Sequence, residues 1–236
     1  MICHDSECIF VHIPKNAGQS IETVFLEHNG LTWDTRAPLL LRKNDNPKLG
    51  PERLGHLLAA DYTKYKYISE KLFNQYFKFA VVRNPYSRLV SFYKYLGYSN
   101  FCSFSFFILN LLDDLYVRRS WFLRPQADYV YNNGEILVDK LIKLEELEVD
   151  FDLVRKKVGI NERLKHVNKS NPKPKKSKLI KFFKILRDPR LILDKAGELD
   201  KNPVNWNPLV IKKINEIYAL DFEVLDYDKI HVDVII

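Results

Sequence analysis

The chain has 236 residues, of which 46% are hydrophobic, with 15 Phe and 13 Tyr among them. This content excludes a disordered chain and suits one compact α/β domain over residues 1–236. The net charge of +7 is compatible with a polyanionic partner, namely a nucleotide, an acidic glycan, nucleic acid or a membrane surface, and equally with a soluble basic protein that has none.

The N-terminal segment predicts a strand, a tight loop and a helix. Residues 8–13 are apolar and rich in β-branched side chains, and Pro14 ends them, which is typical of a buried strand. A helix over residues 18–27 follows, with Ile21 and Val24 on one face. This order of elements opens many nucleotide-binding α/β domains.

The next segment predicts a second strand-to-helix pair. Residues 30–55 combine three Pro and three Gly with little periodicity, and they indicate a loop with one short helix. Residues 59–73 indicate a helix, and the apolar residues 77–82 a second buried strand. Asn84 as N-cap then starts a helix that runs to about Tyr95, with proline at its first position.

The C-terminal part predicts a third strand and two helices. An Asn-Asn-Gly turn precedes a strand over residues 136–144, and a helix over residues 145–158 ends near a glycine. Residues 163–190 are strongly basic and indicate an insertion or loop over about 163–205. The final helix covers residues 207–219. Because strands alternate with helices, the pattern predicts a mostly parallel sheet.

The cysteine content and the apolar runs indicate in which cellular compartment the protein is expected. Cys3, Cys8 and Cys102 form neither a disulfide framework nor a zinc signature, so a reducing compartment is the simplest inference. The first residues show no signal peptide. The most apolar run, residues 101–112, is shorter than the roughly 20 residues of a membrane-spanning helix. We expect a cytoplasmic protein in which this run forms a buried helix.

The first loop has the features of a phosphate-binding turn. It consists of Pro14, Lys15, Asn16, Ala17, Gly18, Gln19 and Ser20. A helix N-terminus offers N–H groups and a positive dipole end to a phosphate, glycine permits a close approach, lysine adds a charge and serine a hydroxyl. An ordinary strand-to-helix turn with a solvated lysine is the alternative. A Walker A loop is excluded, because Lys15 precedes Gly18 and no Gly-Lys-Ser/Thr follows.

A second anion site is predicted where the second strand ends. Arg83 lies at the carboxyl end of that strand, where open parallel sheets bind ligands, and Ser91 lies two turns into the following helix. Arginine suits bidentate contact with phosphate, so the two side chains are placed to grip one phosphate from two sides. The alternative is a structural ion pair for Arg83 and a solvent-facing Ser91.

Together the two loops, FVHIPKNAGQSIE and FKFAVVRNPYSRLVSFY, resemble those of sulfotransferases that use 3′-phosphoadenosine 5′-phosphosulfate (PAPS). The resemblance is to the glycan-type family related to heparan 2-O-sulfotransferase and its bacterial members. Further similar segments are GHLLAA (55–60), PQADY (125–129), VD (138–139), LEEL (144–147) and DFE (221–223).

This resemblance covers most of residues 8–228. It implies a P-loop-like three-layer α/β fold with a central, mostly parallel sheet, and no metal requirement. The implied reaction moves a sulfuryl group from PAPS to an acceptor hydroxyl, with 3′-phosphoadenosine 5′-phosphate (PAP) as product. The family favours sugar hydroxyls, so we expect a saccharide acceptor; lipid-linked and small-molecule acceptors stay open.

The resemblance also implies roles for single residues. His56 is expected to be the general base, since an unperturbed imidazole titrates near neutrality; a packing histidine is the alternative. His12 is the rival, but its place in an apolar strand favours a core or supporting role. Lys15 is expected to stabilise the leaving group, with residues 16–20 around the 5′-phosphate.

At the other end of the donor, the resemblance places Arg83 and Ser91 at the 3′-phosphate. Asn168-Lys169-Ser170 resembles a family motif that borders the adenosine and the 3′-phosphate, so Lys169 and Ser170 are assigned to donor binding as well. The Pro-Lys segment after them departs from the family pattern. Closure over the donor, binding of an acidic glycan and plain solvation all stay open for it.

Three other function classes compete with this interpretation. A small-molecule kinase lacks support, because the Gly-Lys-Ser/Thr loop is absent. A non-catalytic relative that binds nucleotide or glycan is disfavoured because all the functional positions are present. Nucleic-acid binding is not expected, because the basic stretch lacks interleaved aromatic residues.

Overall fold

The computed structural model describes residues 1–165, 190–191 and 204–231. The chain divides into two compact units. One consists of Met1–Arg83 and Pro125–Asn168, the other of Asn84–Arg124 and Lys169–Ile236. We call them the sheet unit and the helical unit. The expectation of one domain over residues 1–236 stays a prediction.

The sheet unit contains a mixed sheet of mainly parallel strands. The strands are β1 (Ile2–Cys3), β2 (Cys8–Val11), β3 (Phe77–Val82), β4 (Tyr131–Asn132), β5 (Glu135–Ile136) and β6 (Lys140–Lys143). The order in the four-stranded sheet is β1-β2-β3-β6, with β1 antiparallel to β2 and the other pairs parallel. Strands β4 and β5 form a separate hairpin. A mainly parallel sheet flanked by helices confirms the predicted α/β fold class.

Helices occupy both units, and short 3₁₀ turns cover Ala37–Leu39, Pro47–Leu49, Leu54–His56, Tyr98–Asn100 and Leu144–Glu146. The α-helices are α1 (Gly18–His28), α2 (Asp61–Lys64), α3 (Glu70–Gln75), α4 (Pro85–Leu96), α5 (Phe104–Phe106), α6 (Leu112–Arg118), α7 (Ser120–Leu123), α8 (Ala127–Val130), α9 (Leu147–Lys157), α10 (Pro208–Ile217) and α11 (Ala219–Val224).

The core of the sheet unit explains why β2 and β3 are almost continuously apolar. All four residues of β2 and five of the six in β3 are buried, as expected of central parallel strands. Phe10 and Phe79 face each other in the register and their rings stack 5.0 Å apart. Phe25 from α1 and Phe151 from α9 join the same cluster.

The helical unit has its own core, to which helix α4 contributes one face. Its residues Leu89, Phe92, Tyr93 and Leu96 are all buried in this core, together with residues of α10. Most apolar residues of the run 101–112 are also buried there. It does not form one regular helix, however, because a π-helical segment over Phe107–Leu111 separates α5 from α6.

Two predicted elements are wrong in extent. The single helix over residues 59–73 is two helices, since Lys66 adopts a left-handed backbone with φ of 60° and the N–H groups of Tyr67 and Ile68 both bond the carbonyl of Tyr62. The strand over residues 136–144 is shortened to β6.

The cause of this shortening is the preceding turn, which the sequence predicted. Asn133 and Gly134 both have positive φ, 51° and 89°, as a tight hairpin turn requires. This turn draws Glu135–Ile136 into pairing with Tyr131–Asn132 instead of into the main sheet.

Candidate active site

The loop from β2 to α1 leaves the N-terminus of α1 open. Ala17 is the N-cap, in a left-handed conformation with φ of 57°, and it supplies no side-chain cap. Lys15 is also left-handed, with φ of 73°. The first N–H groups of a helix have no acceptor within it, so Gly18 and Gln19 supply backbone donors at this end of α1, close to Lys15 in the chain. This arrangement is suited to an anion.

The side chain of Asn16 points inward, not towards an anion. It is 1% exposed, and its Nδ2 donates to the carbonyl of Val81 at 2.8 Å and to Oε1 of Gln126 at 2.7 Å. Its buried Oδ1 finds no hydrogen-bond partner in the described part of the chain. The predicted contribution of Asn16 to phosphate binding is therefore limited to its backbone.

Gly18 is a glycine because of His12. A Cβ atom at position 18 would lie 2.0 Å from Nε2 of His12, far inside van der Waals contact. The imidazole itself is 7% exposed, and its Nδ1 lies 2.6 Å from Oε1 of Glu22 in helix α1. A buried carboxylate–imidazole pair thus lies against the phosphate loop.

His56 lies next to this pair. Its Nδ1 lies 3.1 Å from the backbone carbonyl of His12, and the two imidazole rings are 4.4 Å apart between centroids. A carbonyl accepts only, so Nδ1 of His56 carries the hydrogen and Nε2 is left as the acceptor. Burial, and secondly the charge of His12, lower the pKa of His56 to about 3, which keeps the ring neutral at physiological pH.

These groups line an open pocket of about 360 Å³ in the sheet unit. His12, His56, Glu22 and Gln19 form part of its wall, so the pocket brings the predicted base to the predicted phosphate loop. The rest of the lining is Trp33, Asp34, Arg36, Leu41, Arg42, Lys43, Arg53 and Gly55.

The rim of the pocket is cationic and held by backbone pairing. Lys43 and Arg53 form an antiparallel bridge, and the buried Asn44 between them donates to the carbonyls of Asn46, Gly50 and Pro51. Arg36 lies 5.1 Å above the ring of Trp33, which is 45% exposed. From the sequence, this segment is predicted as a loop with one short helix, and no site residue is assigned to it.

At the carboxyl end of β3, Arg83 is held by its backbone and reaches the first loop. Gln126, which is completely buried, accepts from the Arg83 N–H at 2.9 Å and donates to the Arg83 carbonyl at 2.7 Å. Nη1 of Arg83 donates to the carbonyl of Lys15 at 3.4 Å. The structure therefore brings two predicted donor-binding residues, Lys15 and Arg83, together.

Ser91, the other residue predicted to bind the 3′-phosphate, lies on helix α4 in the helical unit, whereas Arg83 is the last residue of the first segment of the sheet unit. Their joint role stays a prediction. Lys169 and Ser170 lie outside the described residues.

Gln126 is the main residue that sequence reasoning missed. It stood only within a similar segment, PQADY, without a role, and a glutamine among apolar neighbours was the one available signal. Among the described residues, no group of three or more His, Cys, Asp or Glu side chains is arranged to hold a metal ion. Within the same ranges, no helix combines the length and apolarity needed to cross a membrane.

Comparisons with known proteins are consistent with this geometry. A family model described as "Sulfotransferase family" matches residues 1–228. An uncharacterized protein of Archaeoglobus fulgidus is 33% identical over 101 residues, which cover 41% of this chain and 79% of that protein. No solved structure matches significantly.

Proposed function

The chain belongs to the sulfotransferase family, and we propose that it moves a sulfuryl group from PAPS to a hydroxyl of a saccharide. The observation that supports this best is the joint placement of the uncapped helix α1, Lys15 and Arg83 at neighbouring strand ends. A pocket that contains His56 adjoins them. Two cationic positions fit a donor that carries an anionic group at each end.

In this proposal the donor is held at both ends. The N–H groups of Gly18 and Gln19, with Ser20, bind the 5′-phosphate, and Lys15 meets the charge that grows there as the sulfuryl group departs. Arg83 and Ser91 bind the 3′-phosphate, with Lys169 and Ser170 beside it. PAPS supplies the sulfuryl group and leaves as PAP.

His56 is proposed as the general base. Its Nε2 takes the proton of the acceptor hydroxyl while that oxygen bonds to sulfur and the bond from sulfur to the 5′-phosphate oxygen breaks. A neutral imidazole is required for this, and the lowered pKa of His56 provides it. An imidazole of such low basicity accepts the proton only as the new bond to sulfur makes the hydroxyl acidic.

The pocket supports a saccharide as acceptor. Exposed Trp33 offers an apolar face on which a sugar ring can stack, and Arg42, Lys43 and Arg53 offer donors to its oxygens. We also propose a cytoplasmic location, since Cys3, Cys8 and Cys102 are buried and form no disulfide among the described residues.

The test is transfer of labelled sulfate from PAPS to a panel of saccharides. His56→Ala is expected to reduce turnover about 10²–10⁴-fold with PAP affinity unchanged, because His56 does not touch the nucleotide phosphates in this proposal. His12→Ala is expected to lower mainly the thermal stability, because it empties a buried site beside Gly18.

Three results would contradict the proposal. If ATP and PAP raise the melting temperature equally, the assignment of Arg83 and Ser91 to the 3′-phosphate is wrong. PAP binding without turnover on any acceptor class indicates a non-catalytic relative. A fully active His56→Ala enzyme would mean that another residue is the general base.

The rate of the parent enzyme is expected to stay flat between about pH 5 and pH 8, because His56 takes up a proton only near its lowered pKa of about 3.

A further inference from the structure

Gln126 replaces a neighbouring strand at the point where the sheet ends. The pairing of β3 with β6 stops at Val82 opposite Lys143. One residue later, the side-chain amide of Gln126 forms hydrogen bonds with both backbone groups of Arg83. It accepts from the N–H at 2.9 Å and donates to the carbonyl at 2.7 Å. The backbone of Arg83 is thus held by a side chain instead of by a strand.

The same Gln126 oxygen also holds the first loop. Oε1 accepts from Nδ2 of Asn16 at 2.7 Å, and the other Nδ2 hydrogen of Asn16 bonds the carbonyl of Val81 at 2.8 Å. Both amides are buried, so these hydrogen bonds do not compete with solvent. One side chain therefore connects the residue between Lys15 and Ala17 to the backbone that carries Arg83.

We infer that Gln126 is a positioning residue that sets the spacing between the 5′-phosphate loop and Arg83, and so favours donors with an anionic group at both ends over donors with one. This inference rests on the proposed function. A fixed spacing increases the affinity only of a ligand that contacts both the loop and Arg83. If the spacing were not fixed, binding of such a ligand would also cost the entropy of ordering the loop and Arg83 relative to each other.

The test measures binding of three nucleotides by calorimetry: PAP, AMP with its 5′-phosphate only, and adenosine 3′-monophosphate. Gln126→Leu removes the three hydrogen bonds described above. Gln126→Glu keeps the acceptor but loses the donor to the Arg83 carbonyl. For both variants the PAP dissociation constant is expected to rise about tenfold or more, and that of each single-ended nucleotide less than about threefold.

Asn16→Ala and Asn44→Leu complete the series. Asn16→Ala removes the bonds from the loop to Gln126 and to the Val81 carbonyl but keeps both bonds between Gln126 and Arg83, and it is expected to reduce the PAP preference. It also decides the case if both Gln126 variants fail to fold. Asn44→Leu removes another buried amide of the same unit, one that bonds backbone carbonyls of the pocket rim, and is expected to lower stability while the PAP preference stays.

Each other result overturns the inference. Equal losses for all three nucleotides, unchanged PAP affinity in the folded variants, or the same change in preference from Asn44→Leu mean that Gln126 only stabilises the fold. A parent protein that binds no PAP overturns the proposed function itself. A parent that binds PAP and transfers sulfate, with variants that keep its preference, overturns this inference alone.

Discussion

Helix α1 begins with an open N-terminus, whereas helix α4 begins with a closed one, although each follows a buried parallel strand. At α1, the N-cap Ala17 contributes no side chain. At α4, Oδ1 of Asn84 accepts from the N–H groups of Tyr86 and Ser87, the carbonyl of Asn84 accepts from the next one, and Pro85 has none to offer.

The difference shows that, in the proposed function, the two similar junctions would bind anions by different means. The first junction has backbone N–H groups without an acceptor in the helix, and it has the positive end of the helix dipole. An anion there can therefore accept hydrogen bonds from the start of α1. The second has satisfied its own backbone, so an anion there depends on side chains such as Arg83. The first junction also holds two non-glycine residues with left-handed backbones, Lys15 and Ala17, at about 1–2 kcal/mol each. Such strain is typical of functional sites.

Of the variants at the two junctions, the largest effect is expected from the charge at the open one. Lys15→Gln keeps the backbone carbonyl that accepts from Arg83 and removes only the cation, so turnover should fall about 10²–10³-fold. The matched control is Lys66→Gln, because Lys66 is an exposed lysine with a similar left-handed backbone. Steady-state turnover with PAPS distinguishes them; equal rates in the two variants would mean that the first loop does not act on the leaving group.

At the second junction the expected loss is in affinity. Arg83→Ala should weaken PAP binding by about 1.5–3 kcal/mol, the range for a hydrogen bond to a charged group. Adenosine 5′-phosphosulfate, which lacks the 3′-phosphate, should bind the variant and the parent alike by calorimetry. If both ligands weaken equally, Arg83 is structural and the second junction binds no anion.

Gly18→Ala probes the packing under the open junction. The new methyl group meets the His12 ring, so the free energy of unfolding should fall by about 1–3 kcal/mol. Gly55→Ala is the control, because its Cβ would meet only Leu41, at 3.7 Å. Chemical denaturation measures both. The double variant Gly18→Ala/His12→Ala should recover part of the loss, and no recovery would mean that His12 is not the obstacle.

The smallest expected effect concerns the cap of the closed junction. Asn84→Ala should cost about 1 kcal/mol of stability, as N-cap removal typically does. Asn207, which caps α10 by accepting from Val210, is the matched control and should give a similar cost. PAP affinity should be unchanged in both variants. A selective loss of PAP binding in Asn84→Ala would mean that the capped N-terminus of α4 itself contributes to binding, in addition to side chains such as Arg83.

Much of this site was predictable because its signals are local. The strand over residues 77–82 and the cap at Asn84 follow from apolar runs and turn chemistry within a few residues. The prediction of one helix over residues 59–73 was wrong because nothing in the sequence pattern marks Lys66 as left-handed. The break depends on contacts of Tyr62, which is wholly buried.

The sequence by itself determined the α/β class, the two strand-to-helix junctions and the residue types that suit anions, since periodicity and capping act over short distances along the chain. Only the tertiary structure decided that His12 pairs with Glu22, that Gly18 makes room for His12, and that Gln126 joins the two junctions. Position 126 is 110 residues away from its partner Asn16, and hydrogen bonds over such separations depend on how the chain packs, which no local pattern records.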